Sequence, residues 1–179
     1  MYDLITCRHS ERKYLDKDIS QDDIKKIIDA GLSAPSGQNA QPWHFTVIKD
    51  KYVQNNLVKI CKEKFIAQGA PWRKAWAQRE NFNPFYTPNI IIVISNKSSV
   101  ENSNEDCCFA IQNMVLMAES LGLSSCIIRD ICWAIDKSNQ ETFGVPKDYD
   151  CFMCISIGYA TNKNKGRKNL DLSKVNYIE

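Results

Sequence analysis

Apolar residues recur along this chain with two different periods, and the alternation between those periods predicts its elements. From Ser20 the run SQDDIKKIIDAGL places Ile24, Ile27, Ile28 and Leu32 on one helical face. Ser20 stands as N-cap, Asp23 takes the place of the usual Glu in a capping box, and acids fill the first turn. Pro35 and Gly37 stop that helix. WHFTVIKD then reads as a short strand, YVQNNLVKICKEKF as a helix with a charged outer face, and NIIIVIS as a strand buried on both sides. Between Asn104 and Leu121, the residues Ile111, Met114, Val115, Ala118 and Leu121 keep helical spacing. Phe109 and Met117 widen that stripe to the surface of a central helix, which Gly122 ends. SSCIIRD reads as a strand, DKSNQETF as a short helix and CFMCISIGYA as the last core strand. The aromatic-rich segment 68–88, punctuated by Pro71, Pro84 and Pro88, shows no period and reads as an irregular excursion or lid. The tail is polar until Val175, Tyr177 and Ile178, which alternate as an added strand would; a tail so weakly apolar needs something to lie across, such as a second subunit. The sum is an α+β fold, a sheet of about four to five strands flanked by helices, in one domain covering residues 1–179.

Composition narrows the function classes. The 23 basic and 21 acidic residues leave a formal charge of +2, so there is no general attraction to nucleic acid or to a membrane surface. The longest strongly apolar run, Ile90 to Ile94, falls far short of a membrane span. MYDLITCRHSERK lacks the apolar stretch of a signal peptide, so the expected location is cytoplasmic. In that setting the eight cysteines are expected to be reduced, most of them serving as small hydrophobes. Cys151 and Cys154 form C-x-x-C, but inside a strand positions three apart face opposite sides, and no metal site is expected. With only His9 and His44 present, a nucleophilic triad has few possible members.

Any anion site must then be local, and CRHSERKY supplies one. Arg8, Ser10 and Arg12 occupy alternate positions, so in an extended segment two guanidinium forks and a hydroxyl point to one side, an arrangement suited to phosphate. A solvated arm has the same alternation. A second alternate pair, Lys165 and Arg167, follows the last core strand, and termini of a compact chain are often close. The loop APSGQNAQPW contains neither a Rossmann turn nor a Walker loop. Its Ser36, Asn39 and Gln41, held between prolines, offer donors and acceptors suited to the edge of a planar heterocycle; an ordinary helix-ending turn has similar composition.

Taken in order, R-H-S-x-R, A-P-S-G-x-N-x-Q-P-W-H-F and the K-x-R after the closing G-Y strand resemble the FMN-dependent nitroreductase family, from about Cys7 to Arg167. The resemblance implies a homodimer with FMN in the subunit interface. It assigns Arg8, His9, Ser10 and Arg12 to the phosphate, ribityl chain and pyrimidine side, with Lys165 and Arg167 joining at the phosphate. Pro35, Ser36, Gly37, Asn39 and Gln41 belong to the flavin-facing loop, with Pro35, Ser36 and Asn39 coming from the partner subunit. Ile127, Ile128 and Arg129 occupy the segment whose backbone passes the reactive N5, and Arg129 stands where some relatives carry an acid. The implied activity is ping-pong hydride transfer from NADH or NADPH through FMN to a nitroaromatic, quinone or related small-molecule electrophile, with no catalytic side chain beyond the flavin. Alternatives on the same residues are an FMN storage or sensor protein, another flavin reaction such as dehalogenation or flavin breakdown, and a phosphate-ligand or metal-binding module without flavin.

Overall fold

The run from Ile90 to Ile94 becomes the axis of the molecule. A computed structural model describes residues 1–162 and 170–178 of the chain. In it β1 (Trp43–Ile48) and β4 (Asp150–Gly158) flank β2 (Ile90–Asn96), and β3 (Ser124–Ile128) pairs with the far side of β4. All pairings are antiparallel, in the order β1-β2-β4-β3. Because strand side chains alternate, Ile90, Ile92 and Ile94 face one layer of helices and Ile91 and Val93 the other. Full burial of each such isoleucine stabilises the fold by about 1.5–3 kcal/mol.

The first layer holds α2 (Gln21–Leu32) and α5 (Ser103–Ser120), whose Ile24, Ile27, Ile111, Met114 and Val115 meet Ile155 and Ile157 of β4. The second holds α3 (Lys51–Gln68), α4 (Pro71–Ala77) and α6 (Ile131–Ala134), packed over Cys126 and Ile128 of β3. The predicted cap is present, Ser20 accepting the Asp23 N–H at 3.1 Å, and Asp50 likewise caps α3 by accepting those of Tyr52 and Val53 at 2.7 and 3.3 Å. Among the described residues no helix is long and apolar enough to cross a membrane.

Five features depart from the sequence reading. Residues Tyr2–Cys7 form a short helix, α1, too brief to show a period; it packs against α5. Within the expected irregular stretch, Pro71 opens α4, because at the first helical position its missing N–H costs nothing. DKSNQETF closes only as a 3-10 turn at Gln140–Phe143. The tail forms a 3-10 turn at Leu172–Lys174 and no strand, leaving Tyr177 and Ile178 84% and 99% exposed, since it meets no sheet edge within its own chain.

The fifth concerns C-x-x-C. Met153 pairs with Ile94 but Cys151 with Ser95, so Phe152 is an extra, bulged residue. The bulge restores Cys151 to the same face as Cys154, the side of α3 and α6, contrary to simple alternation. Among the described residues no group of three potential ligands is placed to hold a metal.

Candidate functional site

α1 ends at Arg8, whose extended backbone (φ −60°, ψ 129°) starts a segment running along the outer edge of β3. Ser10 bridges Ser125 in parallel, and the Glu11 N–H donates to the Ser125 carbonyl at 2.9 Å. Glu11, only 3% exposed, turns inward, and its carboxylate accepts the N–H groups of Arg12 and Lys13 at 2.7 and 2.9 Å. Two backbone donors on a buried carboxylate hold this turn in shape. The Tyr14 hydroxyl adds a second fastening, 2.9 Å from the Glu11 carbonyl and 3.2 Å from that of Ser156. Tyr14 reaches it only because position 158 is glycine: a Cβ there would stand 2.8 Å from the Tyr14 ring and 2.2 Å from the Asn89 Oδ1.

Ser10 thus sits beside Ser125, and Arg8, Ser10 and Arg12 all act electrostatically on the thiol of the next residue along β3, Cys126. Burial pushes that thiol's pKa up, while Arg12, a hydrogen bond with Ser10, and Arg8 pull in the opposite direction. In the same stretch, Arg8 Nη1, His9 Nε2 and Ser125 Oγ are buried without a hydrogen-bond partner among the described residues. The other imidazole nitrogen, His9 Nδ1, lies 3.1 Å from the Cys7 carbonyl, and Nε2 is 3.6 Å from the Glu11 carboxylate. Arg12 is exposed, 5.5 Å over the Tyr86 ring, and a hydrogen bond with Tyr86 raises its pKa further. No described carboxylate lies within ion-pair distance of Arg8 or Arg12. Buried donors are rarely left unmade, so this cradle fits an anionic ligand rich in acceptor oxygens.

At the other end of β3 the three candidate residues divide. The Ile128 side chain, 7% exposed, is part of the core and leaves only its backbone available. Ile127, on the opposite face, is 37% exposed, and Arg129 is exposed with its guanidinium 5.6 Å over the Phe152 ring. Ser125 and Arg129 are four strand steps apart, roughly 13 Å. An elongated ligand with an anionic end would span that distance.

The loop following α2 is held on its own terms. Ser36 Oγ accepts the Gln41 N–H at 3.0 Å, and Gln41 Nε2 donates to Asn39 Oδ1 at 3.1 Å. The Gly37 N–H donates to the two carboxylate oxygens of Asp106, in the first turn of α5, at 3.1 and 3.3 Å. Those bonds support three left-handed residues, Gln38, Asn39 and Gln41, at φ 51°, 55° and 45°. Pro35 is exposed, and a Cβ on Gly37 would meet nothing within 4 Å. Among the described residues no hydrogen bond joins this loop to Arg8–Arg12 or to Ile127–Arg129, so one chain brings together the first and third groups of candidates but not the second. Lys165 and Arg167 lie outside the described residues.

Glu11, Asp106 and Ser125 escaped the sequence reading, and Tyr86 entered it only as one aromatic of the irregular 68–88 segment. Glu11 carried one signal, its position between two outward residues of an alternating segment; the others contribute through contacts 69 or more residues away in Asp106 and Ser125, and no local pattern marks them. A cavity of about 630 Å³ lies beyond the cradle, lined by Lys13, Tyr14, Lys51, Gln54, Tyr86 and Asn89 among others, and contains none of the candidate residues.

A family model described as the nitroreductase family matches residues 5–159. A protein of Archaeoglobus fulgidus, provisionally named NADH dehydrogenase/NAD(P)H nitroreductase, is 31% identical over 164 residues, which cover 87% of this chain and 83% of that one. An iodotyrosine deiodinase of Thermotoga neapolitana is 29% identical over 133 residues, 70% of this chain and 71% of its own. The crystal structure of a nitroreductase with bound FMN from Bacteroides fragilis superposes with a TM-score of 0.91 at 27% identity, covering 99% of this chain and 98% of that one.

Proposed function

Because this chain belongs to the nitroreductase family, we propose that it is an FMN-dependent oxidoreductase, drawing hydride from NADH or NADPH and delivering it to nitroaromatics, quinones or related electrophiles. The observation that carries the reading is the cradle beside β3, where, among the described residues, Arg8 Nη1, His9 Nε2 and Ser125 Oγ are buried without hydrogen-bond partners and Arg12 has no carboxylate within ion-pair distance. Those groups fit the phosphate and ribityl hydroxyls of FMN, with Lys165 and Arg167 proposed to join at the phosphate. When bound, FMN supplies a ring that takes hydride from the nicotinamide and yields it to an acceptor occupying the same face in turn.

The chain's own residues then have separate tasks. Arg8 and Ser10 anchor the anionic end. Arg12, charged as every guanidinium is at neutral pH, stabilises negative charge beside it and so favours reduction. Ile127 offers apolar surface, and the backbone of Ile127, Ile128 and Arg129 offers polar groups at the far end. The loop residues Pro35, Ser36, Gly37, Asn39 and Gln41 make no hydrogen bond to their own chain's cradle, which fits a homodimer in which each loop completes the partner's site.

The deiodinase relative favours one second reading, reductive removal of halide on the same cradle. Anaerobic absorbance titration separates the cases. Protein reconstituted with FMN should bleach on addition of NADH or NADPH and recover its colour with a nitroaromatic or quinone. Recovery only with iodotyrosine, accompanied by iodide release, would favour the second reading. Failure to bind FMN would overturn both.

A further inference from the structure

The Phe152 bulge has a neighbour that the cofactor cradle does not use. α6 follows β3 directly and carries Cys132 beneath the start of β4, where the Cys132 thiol donates to the carbonyls of Cys151 and Phe152 at 3.1 and 3.0 Å. Without the bulge, Cys151 would face the opposite layer; with it, Cys151 packs on the α6 side, where the Cys132 sulfur lies 3.1 Å from its carbonyl. Both cysteines are half-buried, and both are unbridged. By contrast Cys61, Cys107 and Cys154 are fully buried, and burial pushes the thiols of Cys61 and Cys107 up to about 12.

We propose that Cys132 and Cys151 are a redox-modification site, a dithiol that hydrogen peroxide converts to an intramolecular disulfide. Of the two, Cys132 has the lowered pKa: interaction with the Cys151 side chain and the charge of Arg129 lower it, against burial and the nearby charge of Asp130. Cys151 shifts the other way, raised by that same interaction and by burial. The Cys132 sulfur attacks one peroxide oxygen, so that an S–O bond forms, the O–O bond breaks and the departing hydroxide leaves as water. The Cys151 sulfur then attacks the Cys132 sulfur; the S–S bond forms, the S–O bond breaks, and the second hydroxide takes up the Cys151 proton as water. Two thiols lose two electrons and two protons in all, and one peroxide becomes two waters. The resulting bond would tie α6 to the residue next to Phe152, the ring on which Arg129 rests. Redox state at this pair would thereby be felt at the exposed end of β3.

The site rests on the thiols alone, so its test does not depend on flavin turnover. The full-length, FMN-loaded protein is treated with hydrogen peroxide, alkylated, digested and read by mass spectrometry. A Cys132–Cys151 linked peptide pair, 2 Da lighter than the two thiols and reversed by dithiothreitol, should exceed any other pairing of the eight cysteines at least tenfold. In Cys151→Ser, dimedone should trap a sulfenic acid at Cys132, and Cys132→Ser should give neither product. Wild-type protein that forms no such link, or a Cys132 that alkylates equally before and after peroxide, overturns the proposal whatever the variants do.

Discussion

Glu11 and Arg8 show how one segment divides its labour residue by residue. Glu11 buries its charge and satisfies it with two backbone N–H groups, which costs little because the donors are already in place. Arg8 does the opposite: it buries a donor and leaves Nη1 unpaired among the described residues. A group left so is destabilising until a ligand answers it. Arg8→Ala is therefore expected to weaken FMN binding by about 1–3 kcal/mol, the scale of a lost charge-assisted hydrogen bond, with little loss of fold stability. Isothermal titration with FMN and a thermal melt of the ligand-free protein check the two halves, and unchanged FMN affinity would remove Arg8 from the anchor. The alternation of Arg8, Ser10 and Arg12 is legible in the sequence, since strand geometry alone puts them on one side. Their placement beside Ser125 is not, because only the docking of this segment onto β3 brings residues so distant in sequence together.

At the scale of elements, the periodic ones were readable and the short ones were not. α2, α3, α5 and all four strands announce themselves by spacing, whereas α1 is too short to repeat and α4 begins with a proline that reads as a breaker until its position at the first turn is known. The close approach at Gly158 is another tertiary matter. A methyl there must displace Asn89 and Tyr14, and Tyr14 helps fasten the Arg8–Arg12 segment. Gly158→Ala should lower the melting temperature by several degrees, corresponding to about 1–3 kcal/mol of overpacking, and should reduce FMN affinity as well. Paired melting and flavin-binding measurements test this; a variant that loses stability yet keeps full affinity would disconnect Tyr14 from the cradle.

For the whole molecule, two features fit the proposed homodimer. The loop after α2 is braced by Asp106 and makes no hydrogen bond to the Arg8–Arg12 segment among the described residues, and the tail presents Leu172, Val175, Tyr177 and Ile178 to solvent. Exposed apolar groups at this density favour association, and a weakly apolar tail gains from lying on another subunit. Removal of residues 170–179 is expected to shift the protein from dimer toward monomer in sedimentation velocity and to weaken FMN binding in parallel. A truncated protein that stays dimeric with full affinity would show that the tail serves neither purpose.

The sequence by itself determined the fold class, the order of the main elements and the family, because hydrophobic period, helix caps and the two N-terminal motifs are local properties that need no partner to be read. Tertiary structure alone decided which polar groups are buried without partners, which carboxylates hold the turn and the loop, and which face each cysteine of C-x-x-C adopts. The last case gives the physical reason in its simplest form. One bulged residue, Phe152, reverses the side on which everything before it lies, and a bulge is a property of two paired strands rather than of either one.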